Sequence, residues 1–258
     1  MQLHARVQGH GPAVVLLHGL FGSHDNLGLL ARRLSDDHAL YALDLRNHGR
    51  SPHAEPMEYA AMATDVAETM DAHELKAAAI VGHSMGGKAG MELALAQPQR
   101  VCALVVLDIA PVAYGRHHDR ELAAMQRLDP ARCASRREAD AALAEAIPNA
   151  FVRQFLLKNL VRDGSAFAWR IPLATIERQY PAIAAAPSAG RYDGPVLFLR
   201  GERSEYVGDD HEAAIHERFP HARIETIPDA AHWLHAEAPE QVGARVRRFL
   251  AETAAGNR

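Results

Sequence analysis

Four short stretches of the chain are apolar almost without interruption: "AVVLLH" (Ala13 to His18), "ALYALDL" (Ala39 to Leu45), "AAAIVGH" (Ala77 to His83) and "VCALVVLDI" (Val101 to Ile109). A strand with one wet face alternates apolar and polar residues. A continuous apolar run of this length instead fits a strand in a parallel sheet covered on both faces. The segments between carry helical patterns, over Leu27 to Leu34, over Tyr59 to His73, and in a third helix that closes across Gly90 to Gln97. Such strand–helix alternation needs right-handed crossovers and predicts an α/β fold with a mostly parallel, doubly wound sheet.

The alternation stops near Val112. From there to Gly190 the pattern is mostly helical, in "RELAAMQRL", "EADAALAEAI", "FVRQFLLKNLV" and "LATIERQY". It resumes with "PVLFLRG" (Pro195 to Gly201), a helix near Asp210 to Phe219, "ARIETIP" (Ala222 to Pro228) and a closing helix near Pro239 to Ala251. A single block that leaves a sheet and returns to it reads as an insertion rather than as a separate domain. The expected organisation is a core of residues 1–111 and 191–258, with a helical lid, 112–190, inserted after the sixth strand.

Composition narrows the function classes. A chain of 258 residues, 48% hydrophobic, is long enough for one sizeable core. A net charge of −4 offers no basic face for nucleic acid. The opening "MQLHARVQGHG" has no charged-then-apolar leader, and no apolar run reaches bilayer length. A cytoplasmic protein without stable membrane insertion is expected. The two cysteines, Cys102 and Cys133, have no metal-type spacing and are read as free thiols. Among 16 histidines the densest cluster is His117, His118 and Asp119. Adjacent residues do not share a helix face, so a solvated surface is expected there rather than a metal site.

The candidate chemistry sits at the turns. Gly82-His83-Ser84-Met85-Gly86 matches G-x-S-x-G, a strand-to-helix elbow that pushes a serine hydroxyl outward. The Met85 N–H would then face a developing oxyanion, helped by the helix N-terminus. Gly82, Gly87 and Lys88 also fit a phosphate-cradling G-x-x-x-x-G-K loop, but Ala89 stands where that loop needs a Mg²⁺-binding hydroxyl. "LLHGLFGS" places His18-Gly19 after the first core strand, where a second oxyanion donor is found. Leu20 N–H is preferred, with Phe21 N–H the alternative. His232 lies between the last strand and the closing helix, in the chain order expected of a general base. His235, on the first turn of the final helix, is the weaker candidate. Asp44 and Arg46 in "LDLRNHGRS" read as a tether for their loop, and His48 precedes the nucleophile and is disfavoured for catalysis.

A histidine base needs a carboxylate on its Nδ1–H. After "PVLFLRG", where enzymes of this kind usually keep that acid, Ser204 occupies the slot. Glu202, Glu205, Asp209 and Asp210 are each out of register. Asp108 instead ends the sixth strand, beside the strand that carries Ser84. A carboxylate closing an apolar buried strand is expensive unless paired, and it lies at the sheet edge where ligands bind. Asp108 is therefore preferred, with Glu202 and Glu205 behind it.

Taken together, HGxxG, DxRxHGxS, GHSMGG and the late histidine resemble the α/β-hydrolase superfamily. The strings "HGLFGSHDNLGLLARRL", "LDLRNHGRSPH", "GHSMGGKAGMELAL", "LDIAPV" and "AAHWLHAE" are similar to the YbfF family of bacterial esterases, and the likeness runs along almost the whole chain, including "QFLLKNLV" and "QYPAI". The resemblance implies a cofactor-independent serine hydrolase of acyl esters, with acyl-CoA thioesters as a further substrate class. Carried over by motif, it implies Ser84 as nucleophile, His232 as base and Asp108 as acid. The segment ahead of the first core run is short, so the leading hairpin usual in the family is reduced. Ser84 excludes the relatives whose nucleophile is an aspartate. Carbon–carbon bond hydrolases, perhydrolases and a non-enzymatic receptor on the same fold remain open. The lid is expected to line the substrate pockets, with Phe21, Phe155, Trp169 and Tyr206 as substrate-binding candidates and Phe151, Leu156 and Tyr180 as further apolar ones. Lys88 reads as a surface or structural lysine rather than a substrate anchor. The expected partner is a small acyl ester or thioester, with no cofactor.

Overall fold

The computed structural model describes residues 1–256. The elements run β1 (Ala5–Gln8), β2 (Ala13–Leu17), α1 (Gly28–Leu34), β3 (Ala39–Leu43), α2 (Tyr59–Ala72), β4 (Ala78–His83), α3 (Met85–Ala96) and β5 (Val101–Leu107). A second group follows: α4 (Asp119–Arg127), α5 (Arg136–Leu143), α6 (Ala150–Leu156), β6 (Leu160–Asp163), β7 (Ala166–Trp169) and α7 (Leu173–Ala184). The chain closes with β8 (Val196–Gly201), α8 (Glu212–Arg218), β9 (Ala222–Ile227), α9 (Leu234–Glu237) and α10 (Pro239–Gly256).

Seven strands form one sheet in the order β1-β3-β2-β4-β5-β8-β9. Only the edge pair β1–β3 is antiparallel. The apolar runs are its central strands, and every residue of β4 is buried. Two apolar clusters result, one on each face of the sheet, as the continuous runs require. Among the described residues no helix is long and apolar enough to cross a membrane.

Two expectations need correction. The mainly helical segment follows the fifth strand of the chain, not the sixth. The only strand ahead of β2 is β1, four residues long, so the count runs one lower. Within that segment the pattern "FVRQFLLKNLV" does not stay helical to its end. Asn149 caps α6 by accepting from Phe151 and Val152 N–H. The helix then tightens into a 3-10 turn at Leu157–Asn159, and Leu160–Asp163 pairs antiparallel with Ala166–Trp169. Gly164, at φ +60°, supplies the left-handed residue this hairpin turn needs.

Candidate active site

Ser84 stands between β4 and α3 with φ 53° and ψ −118°. This is a strained conformation for a residue with a side chain, and it persists only when the surroundings dictate it. They do so through glycine. A Cβ on Gly82 would overlap the Gly86 carbonyl, and one on Gly86 would overlap the Leu17 carbonyl. The strand and helix can pass at this elbow only because both positions lack a side chain. Phe21 and Asp108 also sit at positive φ, 61° and 55°. Three of the six such non-glycine residues are thus among the site candidates, and strain of this kind clusters at functional sites.

Asp108, just past β5, is fully buried. Its Oδ1 accepts from Gly201 N–H at 2.9 Å. Its Oδ2 lies 2.8 Å from His232 Nδ1 and also accepts from the Ser204 hydroxyl. A carboxylate accepts, so Nδ1 carries the proton, and in the neutral ring Nε2 then keeps its lone pair. The Ser204 hydroxyl donates to Asp108, a carboxylate that reaches the same place from another strand. The Tyr206 ring stacks on His232 with centroids 4.0 Å apart and planes 25° apart, which fixes the imidazole from its face. Ser84 and His232 line one hollow. Among the described residues no hydrogen bond joins their side chains, which is common in unliganded hydrolases.

The loop after β2 discriminates between the two proposed amide donors. Phe21 N–H already donates to His48 Nε2 at 3.1 Å, and its carbonyl accepts from Asn159 Nδ2 at 2.7 Å. His48 Nδ1–H in turn donates to the Arg46 carbonyl, and burial pushes this imidazole down to about 3, so the ring stays neutral. The Leu20 N–H has no such protein acceptor among the described residues, and Leu20 borders the hollows on either side of Ser84. Met85 opens α3 and has no intrahelical acceptor for its N–H.

Two hollows meet at Ser84. The first is walled by Leu20, Phe21, Val152, Phe155, Leu156 and Trp233, with His83, His118, His232 and His235. The second is walled by Tyr59, Tyr114, Tyr180 and Tyr206, with Met85, Lys88 and Ile109. Phe21, Phe155 and Tyr206 therefore face the site, as do Leu156 and Tyr180. Trp169 does not: its indole N–H donates to the Met125 carbonyl at 3.0 Å and it lies outside both hollows. Phe151 is half exposed, edge-on to Trp233.

Sequence reasoning missed several of these walls. His118 was expected on a solvated surface, yet it turns inward, with Nδ1 2.8 Å from the Tyr180 hydroxyl. Burial, with His232 nearby, lowers it to about 4. His235 lies on the separate short helix α9 rather than on α10, and burial brings it down to about 3. His83, inside G-x-S-x-G, donates Nε2–H to the His232 carbonyl at 2.9 Å and so positions the His232 backbone. Burial holds its ring well below the usual range. The His83 ring lies tilted against His232 and edge-on to His235, and no metal-competent group of the described residues includes any of these three.

Lys88 is not on the helix surface. It is 1% exposed, its Nζ donates to the Ala184 and Ala185 carbonyls, and it sits over the Tyr114 ring at 4.7 Å. A lysine bound to the end of α7 is not placed to cradle phosphates. Asp44 and Arg46 tether their loop, as expected. Arg46 Nε bonds Asp65 Oδ2 at 2.6 Å, and Asp44 accepts from the His24 and Arg50 amides.

A family model described as "Alpha/beta hydrolase family" matches residues 14–245. The chain belongs to that family. It is 42% identical to esterase YbfF of Escherichia coli, over 95% of this chain and 96% of that protein. It is 41% identical to the mouse sn-1-specific diacylglycerol lipase ABHD11, over 93% of this chain and 81% of the relative. A solved marine microorganism esterase superposes with a TM-score of 0.94 at 38% identity, covering 96% of this chain and 99% of the other. The α/β-hydrolase fold and the likeness to YbfF expected from the motifs are both found.

Proposed function

We propose that this chain hydrolyses carboxylic esters through a Ser84–His232–Asp108 triad and an acyl-enzyme. One observation carries the reading: the buried Asp108 carboxylate meets His232 Nδ1 at 2.8 Å, leaving Nε2 available in the hollow that Ser84 lines. The relatives named esterase and lipase support the reaction class. In this mechanism His232 Nε2 takes the Ser84 proton as Oγ attacks the acyl carbonyl. The Leu20 and Met85 amides receive the oxyanion, each worth about 3 kcal/mol by comparison with measured oxyanion donors. The imidazolium returns the proton to the leaving alcohol. His232 then deprotonates a water that attacks the acyl-serine and releases the acid.

Residues 112–190 serve as the lid in this reading. The support is that Phe155, Leu156 and His118 wall the first hollow, while Tyr114 and Tyr180 wall the second. Phe21, Phe155 and Tyr206 contact substrate, and acyl thioesters are a second substrate class with the same tetrahedral path. The test is turnover of a short-chain p-nitrophenyl ester and of an acyl-CoA thioester, with Ser84→Ala as background. Esterase activity that vanishes in Ser84→Ala supports the reading. A wild type no faster than Ser84→Ala on every ester would overturn it in favour of a receptor on this fold.

A further inference from the structure

A second cluster stands apart from Ser84. Asp44, at the head of the loop after β3, is fully buried, and neither it nor its histidine neighbours line the two hollows. His24 Nδ1 lies 2.9 Å from its Oδ1, and His4 Nδ1 lies 3.2 Å from its Oδ2. One ligand atom from each of the three residues falls within 4.8 Å of the other two. His4 Nδ1 is itself buried without a hydrogen-bond partner, although it faces a carboxylate. A proton shared with Asp44 therefore leaves this nitrogen unsatisfied.

A cation satisfies it. Two ligands held about 2.0–2.2 Å from one ion stand roughly 3.3–3.6 Å apart at the tetrahedral angle. The 3.2 Å separation, to one Asp44 oxygen, is close to that spacing, and the 2.9 Å one, to the other oxygen, reaches it with a shift of a few tenths of an ångström. The segments are already tied together, since Asp44 N–H donates to the His4 carbonyl and His4 N–H donates to Ser51 Oγ. Beyond the ring, Asp25 Oδ1 lies 3.4 Å from His24 Nε2, within reach of the outer-carboxylate hydrogen bond that a metal-bound imidazole makes. His4 is a quarter exposed, which leaves access for an ion and for a water ligand.

We infer that His4, His24 and Asp44 form a site for a divalent transition-metal ion of the zinc or cobalt type. Two imidazoles and one carboxylate select such an ion over magnesium or calcium, which take oxygen ligands. The ion acts as a clip, not as a reactant. It joins the start of β1 to the loop that carries Leu20 and to the loop whose His48 holds Phe21 N–H. Bound to the folded chain alone, it raises thermal stability by mass action.

The experiment adds Co²⁺ to chelator-treated protein and follows visible absorption, then displaces it with Zn²⁺ and records Tm. The expected result is one equivalent of Co²⁺ bound, a Tm several degrees higher with Zn²⁺, and loss of both in His24→Gln and in His4→Gln. Each variant removes one ligand, so either one that folds by circular dichroism carries the test. A wild type that binds no Co²⁺, or variants that bind it as the wild type does, would overturn the site. Esterase activity is not the readout, so the result stands whatever Ser84 does.

Discussion

Asp44 and Asp108 are alike in position, burial and partner, although only Asp108 of the two sits at positive φ. Each follows the C-terminal end of a parallel strand, each is wholly buried, and each meets a histidine Nδ1 within 2.9 Å. They differ in what lies on the other side of the ring. His232 lines the hollow it shares with Ser84, whereas His24 Nε2 lies 3.4 Å from Asp25 Oδ1. The lesson is that an Asp–His pair is not by itself a catalytic feature. The free nitrogen must face a nucleophile across space that a substrate can fill.

The comparison breaks most visibly on exchanging each carboxylate for its amide. Asp108→Asn should lower kcat by about four orders of magnitude, because an amide can present its own N–H to Nδ1 and hold the wrong tautomer. A kcat within tenfold of wild type would remove Asp108 from the triad. Asp44→Asn should do the reverse, costing about 1–3 kcal/mol of stability by setting an NH₂ against the His24 or Arg50 N–H, with kcat held within about tenfold. Denaturant melts and ester kinetics on the same two proteins separate the roles. Equal effects of both variants on both measurements would erase the distinction.

Ser204 sharpens it further, since Asp108 accepts from this hydroxyl while Asp44 relies on backbone amides and histidine. Ser204→Ala should cut kcat by roughly ten- to a hundredfold, as the loss of a hydrogen bond to a charged group does, with KM little changed. An unaltered kcat would reduce Ser204 to a spacer.

The smallest effect is expected from Lys88, a buried base with no acid beside it. Burial lowers it from 10.5 to about 7. Between those values the unfolded chain binds the proton and the folded chain does not, so stability rises with pH across that window. Below about pH 7 both states are protonated and the slope from this group vanishes. The neutral amine has two N–H bonds for the two carbonyls of Ala184 and Ala185. Lys88→Met should therefore fall behind wild type in Tm by an amount that grows from about pH 6 to about pH 10. A difference that is constant with pH would mean that Lys88 stays charged in the fold.

Much of the site was legible because local backbone chemistry leaves local signatures. G-x-S-x-G marks Ser84 since only glycine lets strand and helix pass at an elbow. Apolar runs without alternation mark central strands since both faces are covered. Asp108 was legible as a carboxylate needing partners, because an unpaired carboxylate at a strand end is costly wherever the chain puts it; its partners are Gly201 N–H, the Ser204 hydroxyl and His232 Nδ1. What failed were statements about side chains far from any motif. Trp169 was expected in the pocket and donates to Met125 instead; His118 was expected in water and walls the site. Each depends on how the segment between β5 and β8 lies over the sheet, and no short-range pattern encodes that.

The sequence by itself determined the elements whose residues carry their own reason: the buried parallel strands, the strained elbow, the glycine turns and the chain order of serine, acid and histidine. Only the tertiary structure decided which of two buried Asp–His pairs shares a hollow with Ser84, which amide of Leu20 and Phe21 is left free, and that positions 4, 24 and 44 converge. Periodicity and local strain act over a few residues and so leave a trace in the sequence. Convergence of distant side chains is set by the packing of whole elements, and the same local pattern is compatible with either outcome.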